Sequence, residues 1–302
     1  MPIPPRTTAT TLTLSQHLTV ASARMLFGVI TSAVRLTRGF QPDGWKTLRY
    51  GTHREETLDH HPAIADDPRR SPVVFLHGGG WMMGSTDAYS HDLLFLAEAG
   101  YPVFNIEYPK APDTPHPWIL RSVFKALTFI RSTFPEAEAV HLIGDSAGGN
   151  LAVMAALLME NPELLHPIDP ALTPADLPRV LSVTSLYGVH DRGTCLNGSI
   201  MGADTMIESY GGPGALGETV DAHHAITPMD LDFAKHPPCL LICGSSDPLL
   251  ASQDLYAAHL EASGHRVTTK VYDGAIHGFF NLTDSRPKAA SRQDILDFLN
   301  GL

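Results

Sequence analysis

The sequence predicts an α/β fold with a mainly parallel sheet and helices on both of its faces. Short apolar runs alternate with segments of helical periodicity along most of the chain. Most of these runs are apolar at nearly every position, which is typical of strands that are covered on both faces. Two of the runs end in glycine-rich turns, at residues 77–81 and 144–150, where a parallel sheet places its functional loops.

The first element expected is an N-terminal helix. Residues 1–9 are rich in Pro and Thr and are predicted to be disordered. Residues 11–36 then repeat apolar positions every three to four residues, and glycines at 39 and 44 end the pattern. Arg24 interrupts the apolar stretch 18–35, so the segment is predicted to be neither a signal peptide nor a membrane span.

The next elements expected are two antiparallel edge strands, at residues 47–51 and 56–60. The alternation then predicts strands at 72–77, 102–107, 139–144, 180–186, 239–244 and 267–272, and helices at 92–99, 119–133, 147–160, 255–262 and 291–299. Residues 187–232 break this alternation, and only 203–210 has a helical pattern. We therefore expect an insertion between core strands at that place.

Composition narrows the class of partner. The chain has 302 residues and a formal net charge of −11, which argues against nucleic acid and against anionic lipid. Its three cysteines are too few for a disulfide framework and are expected to be buried thiols. The histidine pairs 60–61 and 223–224 lack carboxylate or thiolate neighbours at ligand spacing, so they are expected on the surface or in loops, with no metal site. A cytoplasmic protein is expected.

The second glycine-rich turn presents a candidate nucleophile. In Gly144-Asp145-Ser146-Ala147-Gly148, small residues flank a serine between an apolar strand and an Ala-rich helix. This strand–turn–helix context exposes the hydroxyl and aims the helix N-terminus at it. The alternatives are a serine that caps the helix or a phosphate-binding turn, but the lysine of a phosphate-binding loop is absent.

A serine nucleophile requires a base and a group that orients the base. His277 lies between glycines after the last predicted strand, and Asp247 follows the strand before it. Together with Ser146 they stand in the chain order Ser–Asp–His. Asp254 and Asp273 are rival acids, and Asp247 could instead cap a helix.

The first glycine-rich turn, His77-Gly78-Gly79-Gly80-Trp81, predicts an oxyanion hole. Backbone N–H groups approach a reacting oxygen closely only where side chains are absent. We expect two of the three glycines to donate, together with the N–H of Ala147. His77 is expected to form internal hydrogen bonds, and Trp81 either flanks the acyl side of the pocket or packs in the core.

At these motifs, over residues 70–300, the chain resembles the hormone-sensitive-lipase branch of the α/β-hydrolases, which includes bacterial esterases and arylacetamide deacetylases. Asp247-Pro248-Leu249 and His277-Gly278-Phe279 add to the resemblance, whereas Glu107-Tyr108-Pro109-Lys110 departs from the family's Asp-Tyr-Arg-Leu. The resemblance implies an eight-stranded sheet in a catalytic domain at residues 41–302. It also implies a cap formed by N-terminal helices at 1–40 and an insertion at about 187–232, lined by Met25, Leu26, Phe27, Met201, Met206 and Ile207.

These features predict a serine carboxylic-ester hydrolase that needs no cofactor and acts on short- to medium-chain esters. A small ester is favoured over emulsified triglyceride because no long apolar surface segment is evident in the sequence. An amidase or deacetylase would use the same chemistry and stays open. A ligand-binding receptor of the same fold is the remaining alternative, against which His277 argues. Whether the chain forms a homodimer is also left open.

Overall fold

The computed structural model describes residues 12–38, 42–65, 71–198, 200–212, 214–217, 224–282 and 284–302. The predicted disorder at 1–9, the first part of the predicted helix break at 39–44, namely 39–41, and His223 lie outside these residues. Within them, eight strands form one sheet in the order β1-β2-β4-β3-β5-β6-β7-β8. The strands are β1 (Lys46–Arg49), β2 (Thr57–His61), β3 (Val73–Leu76), β4 (Val103–Ile106), β5 (Ala139–Asp145), β6 (Arg179–Leu186), β7 (Cys239–Gly244) and β8 (Val267–Tyr272).

The sheet is parallel except at one edge. Strand β2 pairs antiparallel with both β1 and β4, and every other neighbouring pair is parallel. All residues of β3, β4, β5 and β7 are buried, as expected for strands with helices on both faces. The carboxyl ends of β5, β7 and β8 therefore lie along one edge of the sheet, and the loops that follow them can meet there.

Ten α-helices are present among the described residues. They are α1 (Leu14–Arg38), α2 (Ser90–Glu98), α3 (Trp118–Thr133), α4 (Ala147–Glu160), α5 (Pro162–Ile168), α6 (Arg192–Asn197), α7 (Ala203–Gly211), α8 (Leu250–Ala262), α9 (Phe279–Leu282) and α10 (Arg286–Asn300). Helices α3, α4 and α8 pack on one face of the sheet, and α2 and α10 pack on the other. Helix α4, rich in Ala and Leu, is buried along almost its whole length.

Several boundaries differ from those predicted. Helix α10 begins at Arg286, because Ser285 caps it by accepting from the N–H of Lys288. Helices α5, α6 and α9 were not expected: all three are short, and α5 and α6 each contain a helix-breaking residue, proline or glycine. The expected surface position of the histidine pair 60–61 is wrong, because both lie on β2. His60 stacks on Phe104, and His61 is buried.

One face of helix α1 packs against the rest of the protein. Val20 on that face is buried, and Arg24 donates to the carbonyls of Met82 and Ala111, over 3.0 and 2.7 Å, and pairs with Asp113. None of the described helices is long and apolar enough to cross a membrane.

Candidate active site

The turn between β5 and α4 holds Ser146 in a strained conformation. Its backbone angles, φ 52° and ψ −120°, lie in a region that residues with a side chain rarely adopt. The turn also needs a glycine at 148, because a Cβ there would lie 2.0 Å from the carbonyl oxygen of Leu76. The strain places the serine hydroxyl above the carboxyl edge of the sheet.

The three residues predicted as nucleophile, base and acid are brought together. Ser146 Oγ lies 2.9 Å from His277 Nε2, and His277 Nδ1 lies 2.9 Å from Asp247 Oδ2. The Asp247 side chain is fully buried, whereas the imidazole is about one third exposed. Asp247 also accepts a hydrogen bond from the N–H of Leu249, so its carboxylate stabilises the turn in which it lies as well. The ring of Tyr187 packs edge-on against the imidazole, with the centroids 4.9 Å apart.

The rival acids are elsewhere. Asp254 lies exposed on α8, and Asp273 accepts from Ser245 Oγ at 3.3 Å. His77 is fully buried and makes internal hydrogen bonds, with Nδ1 2.8 Å from the Gly78 carbonyl and Nε2 3.4 Å from Glu107 Oε1. The arrangement leaves His277 as the histidine that can take a proton from the serine.

The glycine-rich turn supplies N–H donors, with one correction. Gly78 cannot be one of them, because its N–H already donates to Asp145 Oδ1 over 2.6 Å. Gly79 and Gly80 line the cavity beside Ser146, as does Ala147. Within the part of the chain that is described, the N–H groups of these three residues have no hydrogen-bond acceptor. They are therefore available to an oxygen that develops negative charge in the cavity.

Asp145 ties the two glycine-rich turns together. Its carboxylate is buried and accepts from the Gly78 N–H and from the Tyr89 hydroxyl, the latter over 3.1 Å. Burial raises the pKa of Asp145 to about 6, although the hydrogen bond from Gly78 and the nearby His77 act in the opposite direction. The residue was not singled out from the sequence, despite its place in the serine motif.

A second carboxylate supports the same turn. Burial acts to raise the pKa of Glu107, but Lys110 and His77 outweigh it and lower that pKa to about 2. Glu107 accordingly forms an ion pair with Lys110 and accepts from the N–H of Thr86. Glu107 and Lys110, which lie in the segment that departs from the family pattern, therefore form a charge pair beside the turn at residues 77–81.

A cavity of about 330 Å³ opens beside Ser146 and His277. Apart from these two residues, its walls are mainly apolar. Other parts of its wall come from α1, from the insertion and from the segments that follow β3, β7 and β8, namely Phe27, Met83, Val189, Cys195, Ile200, Met206, Leu249 and Asn281. Of the six predicted cap contacts, Phe27 and Met206 line the cavity. Met25, Leu26 and Met201 instead face outward, and Ile207 is buried in the core.

Trp81 lies between the cavity and the core. It lines the cavity, and it is almost fully buried against Tyr210, with the rings stacked and their centroids 4.6 Å apart. Among the described residues no group of three or more His, Cys, Asp or Glu side chains is placed to hold a metal ion. The three cysteines are buried and unpaired.

Comparison with known proteins gives consistent matches. A profile of the alpha/beta hydrolase fold matches residues 73–281. The chain is 28% identical over 281 residues to the ethyl acetate hydrolase of Pseudomonas putida, with 83% of this chain and 80% of that protein covered. It is also 28% identical over 247 residues to lipase 2 of Moraxella sp. strain TA144, covering 70% of this chain. The chain spans only 54% of the length of that lipase.

Solved structures agree in fold. Esterase B from Lactobacillus rhamnosis (HN001) superposes with a TM-score of 0.81 at 20% identity, over 95% of each chain. An esterase from Pyrobaculum calidifontis does so with a TM-score of 0.75 at 21% identity, over 96% of this chain and 95% of that one. At such identity the likeness concerns the path of the backbone.

Proposed function

Because this chain belongs to the α/β-hydrolase fold family, in the branch that resembles hormone-sensitive lipase, we propose that it is a serine carboxylic-ester hydrolase. The observation that carries the proposal is the continuous chain of contacts from Ser146 through His277 to Asp247, next to three backbone N–H groups that have no acceptor among the described residues. The esterase and lipase names of its relatives support the same reaction.

The reaction follows from the geometry. Ser146 Oγ attacks the ester carbonyl carbon while His277 Nε2 takes the hydroxyl proton. Asp247 holds the imidazole with Nδ1 protonated and stabilises its positive charge. The carbonyl oxygen, now an oxyanion, accepts from Ala147 and from Gly79 and Gly80.

His277 then gives its proton to the departing alcohol, and an acyl-serine remains. A water that the same histidine deprotonates attacks this acyl group and releases the acid. The mechanism needs no cofactor.

The cavity sets the size of the ester. A cavity of about 330 Å³ lies at the small end of the range for ligand pockets, which is about 300–1,000 Å³. We therefore expect the highest kcat/KM on acyl chains of about two to eight carbons, since each buried methylene adds roughly 0.8 kcal/mol until the cavity is full. The proposed cap over it comprises the described parts of the segments 1–40 and 187–232. A steady rise in kcat/KM through palmitate would contradict a closed pocket.

The proposal is tested with p-nitrophenyl esters from acetate to palmitate and the matching anilides. Ser146→Ala should lower kcat at least about 10⁴-fold, and Ser132→Ala, at an exposed serine, should not. A serine-directed phosphonate should label the wild type but not Ser146→Ala. Near-normal turnover in Ser146→Ala would refute the nucleophile. Anilides cleaved faster than esters would identify an amidase, and wild type that is neither labelled nor active would identify a receptor.

A cytoplasmic location is also part of the proposal. It is supported by Cys195, Cys239 and Cys243, which are all unpaired thiols. Fractionation of cells that produce the protein should recover its esterase activity with cytoplasmic markers, and recovery with periplasmic or secreted markers would contradict this location.

A further inference from the structure

One polar side chain of the cavity wall has no part in the proposed mechanism. Asn281, on α9, lines the cavity and is half-buried. Of the other polar side chains outside the catalytic residues, Asp145 and Tyr89 bond each other. The indole nitrogen of Trp81 has almost no accessible surface, and the thiol of Cys195 is a weak donor. Asn281 therefore carries the strongest hydrogen-bonding group that the described wall offers to a ligand.

The carboxamide of Asn281 is not used by the fold. Among the described residues it has no hydrogen-bond partner. Asn150 shows the contrast, because its amide donates to the carbonyls of Val189 and Ile226 over 2.9 and 2.8 Å and so ties two segments together. A carboxamide covered by an apolar ligand loses its water and gains no partner. This position of the wall therefore favours a ligand with a polar group of its own.

The position of Asn281 assigns it to the alcohol side of a bound ester. Three residues separate it from His277, and its N–H donates to the carbonyl of Gly278 over 3.2 Å, so the chain turns tightly between the two. His277 has to reach the ester oxygen that leaves with the alcohol, whereas the carbonyl oxygen is directed to the proposed oxyanion hole. The alcohol part of the ester therefore lies toward His277 and the segment that follows it.

We propose that Asn281 selects esters whose alcohol part carries a hydroxyl group, such as the monoesters of short diols. The inference rests on the proposed esterase activity and adds the class of alcohol. The amide oxygen of Asn281 can accept from this hydroxyl, and the amide nitrogen can donate to it. An ester of the plain alkyl alcohol fills the same volume but leaves the amide without a partner. Asn281 is thus a specificity-determining residue, and the diol is the leaving group that takes the proton from His277.

The test compares butyrate esters in pairs of equal size: hydroxyethyl with propyl, and ω-hydroxypropyl with butyl. Release of butyric acid is followed by pH-stat titration, and the quantity compared is the ratio of kcat/KM for the hydroxyalkyl ester to that for the alkyl ester. This ratio does not depend on how much of a variant is folded. A hydrogen bond of ordinary net strength changes such a ratio about fivefold. We therefore expect the ratio in wild type to exceed that in Asn281→Leu by at least about fivefold in one pair or both.

Two further variants accompany this comparison. Asn281→Ala removes the amide without adding an apolar side chain of the same size, and its ratio should fall as in Asn281→Leu. The control is Gln293→Leu, which removes an exposed carboxamide on α10 and should keep the wild-type ratio.

Equal ratios in wild type and Asn281→Leu for both pairs would overturn the proposal. So would a change confined to alkyl esters of ω-hydroxybutyrate, since Asn281 would then contact the acyl part. An equal fall in Gln293→Leu would show that the ratio does not report on the cavity. In each of these outcomes wild type still hydrolyses the alkyl esters. Failure of the esterase proposal differs from them, because wild type would then hydrolyse none of the esters.

Discussion

Replacing Asp145 by asparagine should stabilise the fold and slow catalysis. The native pKa of Asp145 is raised to about 6 from 3.8, chiefly by burial. The native state therefore binds more protons than the unfolded state between these pH values, and the contribution of Asp145 to stability is lost as the pH rises through 6. Over the full shift of about two units this loss is about 3 kcal/mol. Asparagine resembles the protonated acid and avoids the loss.

The stability gain should depend on pH. Asparagine can still accept from the Gly78 N–H and can donate to the Tyr89 hydroxyl. We expect Asp145→Asn to exceed wild type in free energy of unfolding by about 3 kcal/mol at pH 7.5 and by about 1 kcal/mol at pH 4.5. Urea titrations followed by tryptophan fluorescence measure both values, with Asp254→Asn as the exposed control.

Catalysis should change in the opposite sense. A neutral amide holds the Gly78 N–H less firmly than a carboxylate does, by about 1.4 kcal/mol, so kcat should fall about tenfold with KM unchanged. A variant that is less stable at pH 7.5, or whose stability gain is the same at both pH values, would refute the account of the buried charge. Unchanged kcat would show that Asp145 does not hold the glycine-rich turn.

Three further outcomes are expected. Asp247→Asn should lower kcat by about 10⁴-fold with little change in KM, because His277 loses the partner that fixes its protonated nitrogen; a loss below tenfold would contradict this. Arg24→Ala should raise KM for octanoate esters several-fold while acetate turnover stays the same, because Arg24 anchors the helix that carries Phe27; equal changes for both esters would contradict it. Acid should destabilise the protein. Burial lowers the pKa of His141, His190 and His236 to about 4, 3 and 4, so that just below pH 6.5 these histidines gain protons only in the unfolded state. At pH 5.5 each histidine lowers the free energy of unfolding by about 1.4 kcal/mol, and protonation of Asp145 offsets part of this loss. Urea titrations that give equal free energies of unfolding at pH 7.5 and 5.5 would contradict this prediction.

The sequence predicted the sheet and the meeting of Ser146, Asp247 and His277 because each lies in a short motif directly after a strand. In a parallel sheet, strand ends share one edge, so the order of strands and motifs already limits which side chains can meet. The role expected for Gly78 failed for a different reason. Its N–H is taken by Asp145, a contact between residues that are distant in the chain and adjacent only in the fold.

Helix α1 illustrates a second limit. Its apolar residues Met25, Leu26 and Phe27 were predicted to line the cap, but periodicity gives the spacing of apolar residues and does not say which face finds a partner. Met25 and Leu26 satisfy the same pattern as Phe27, yet only Phe27 reaches the cavity. Hydrogen bonds from Arg24 to the carbonyls of Met82 and Ala111 fix the rotation of the helix about its axis, and this rotation determines which apolar residues reach the cavity.

The C-terminal helix has a consequence for the order of folding during synthesis. Buried Asp92 on α2 pairs with Lys288 and Arg292 of α10, over 2.7 and 3.0 Å, and Tyr101 donates to Asn300. These contacts cannot form until α10 has left the ribosome. The residues that surround Ser146 emerge much earlier, but the face of the sheet that carries α2 is closed only by α10. A nascent chain stalled shortly before α10 should therefore be sensitive to protease and inactive, and emergence of α10 should complete this face of the fold.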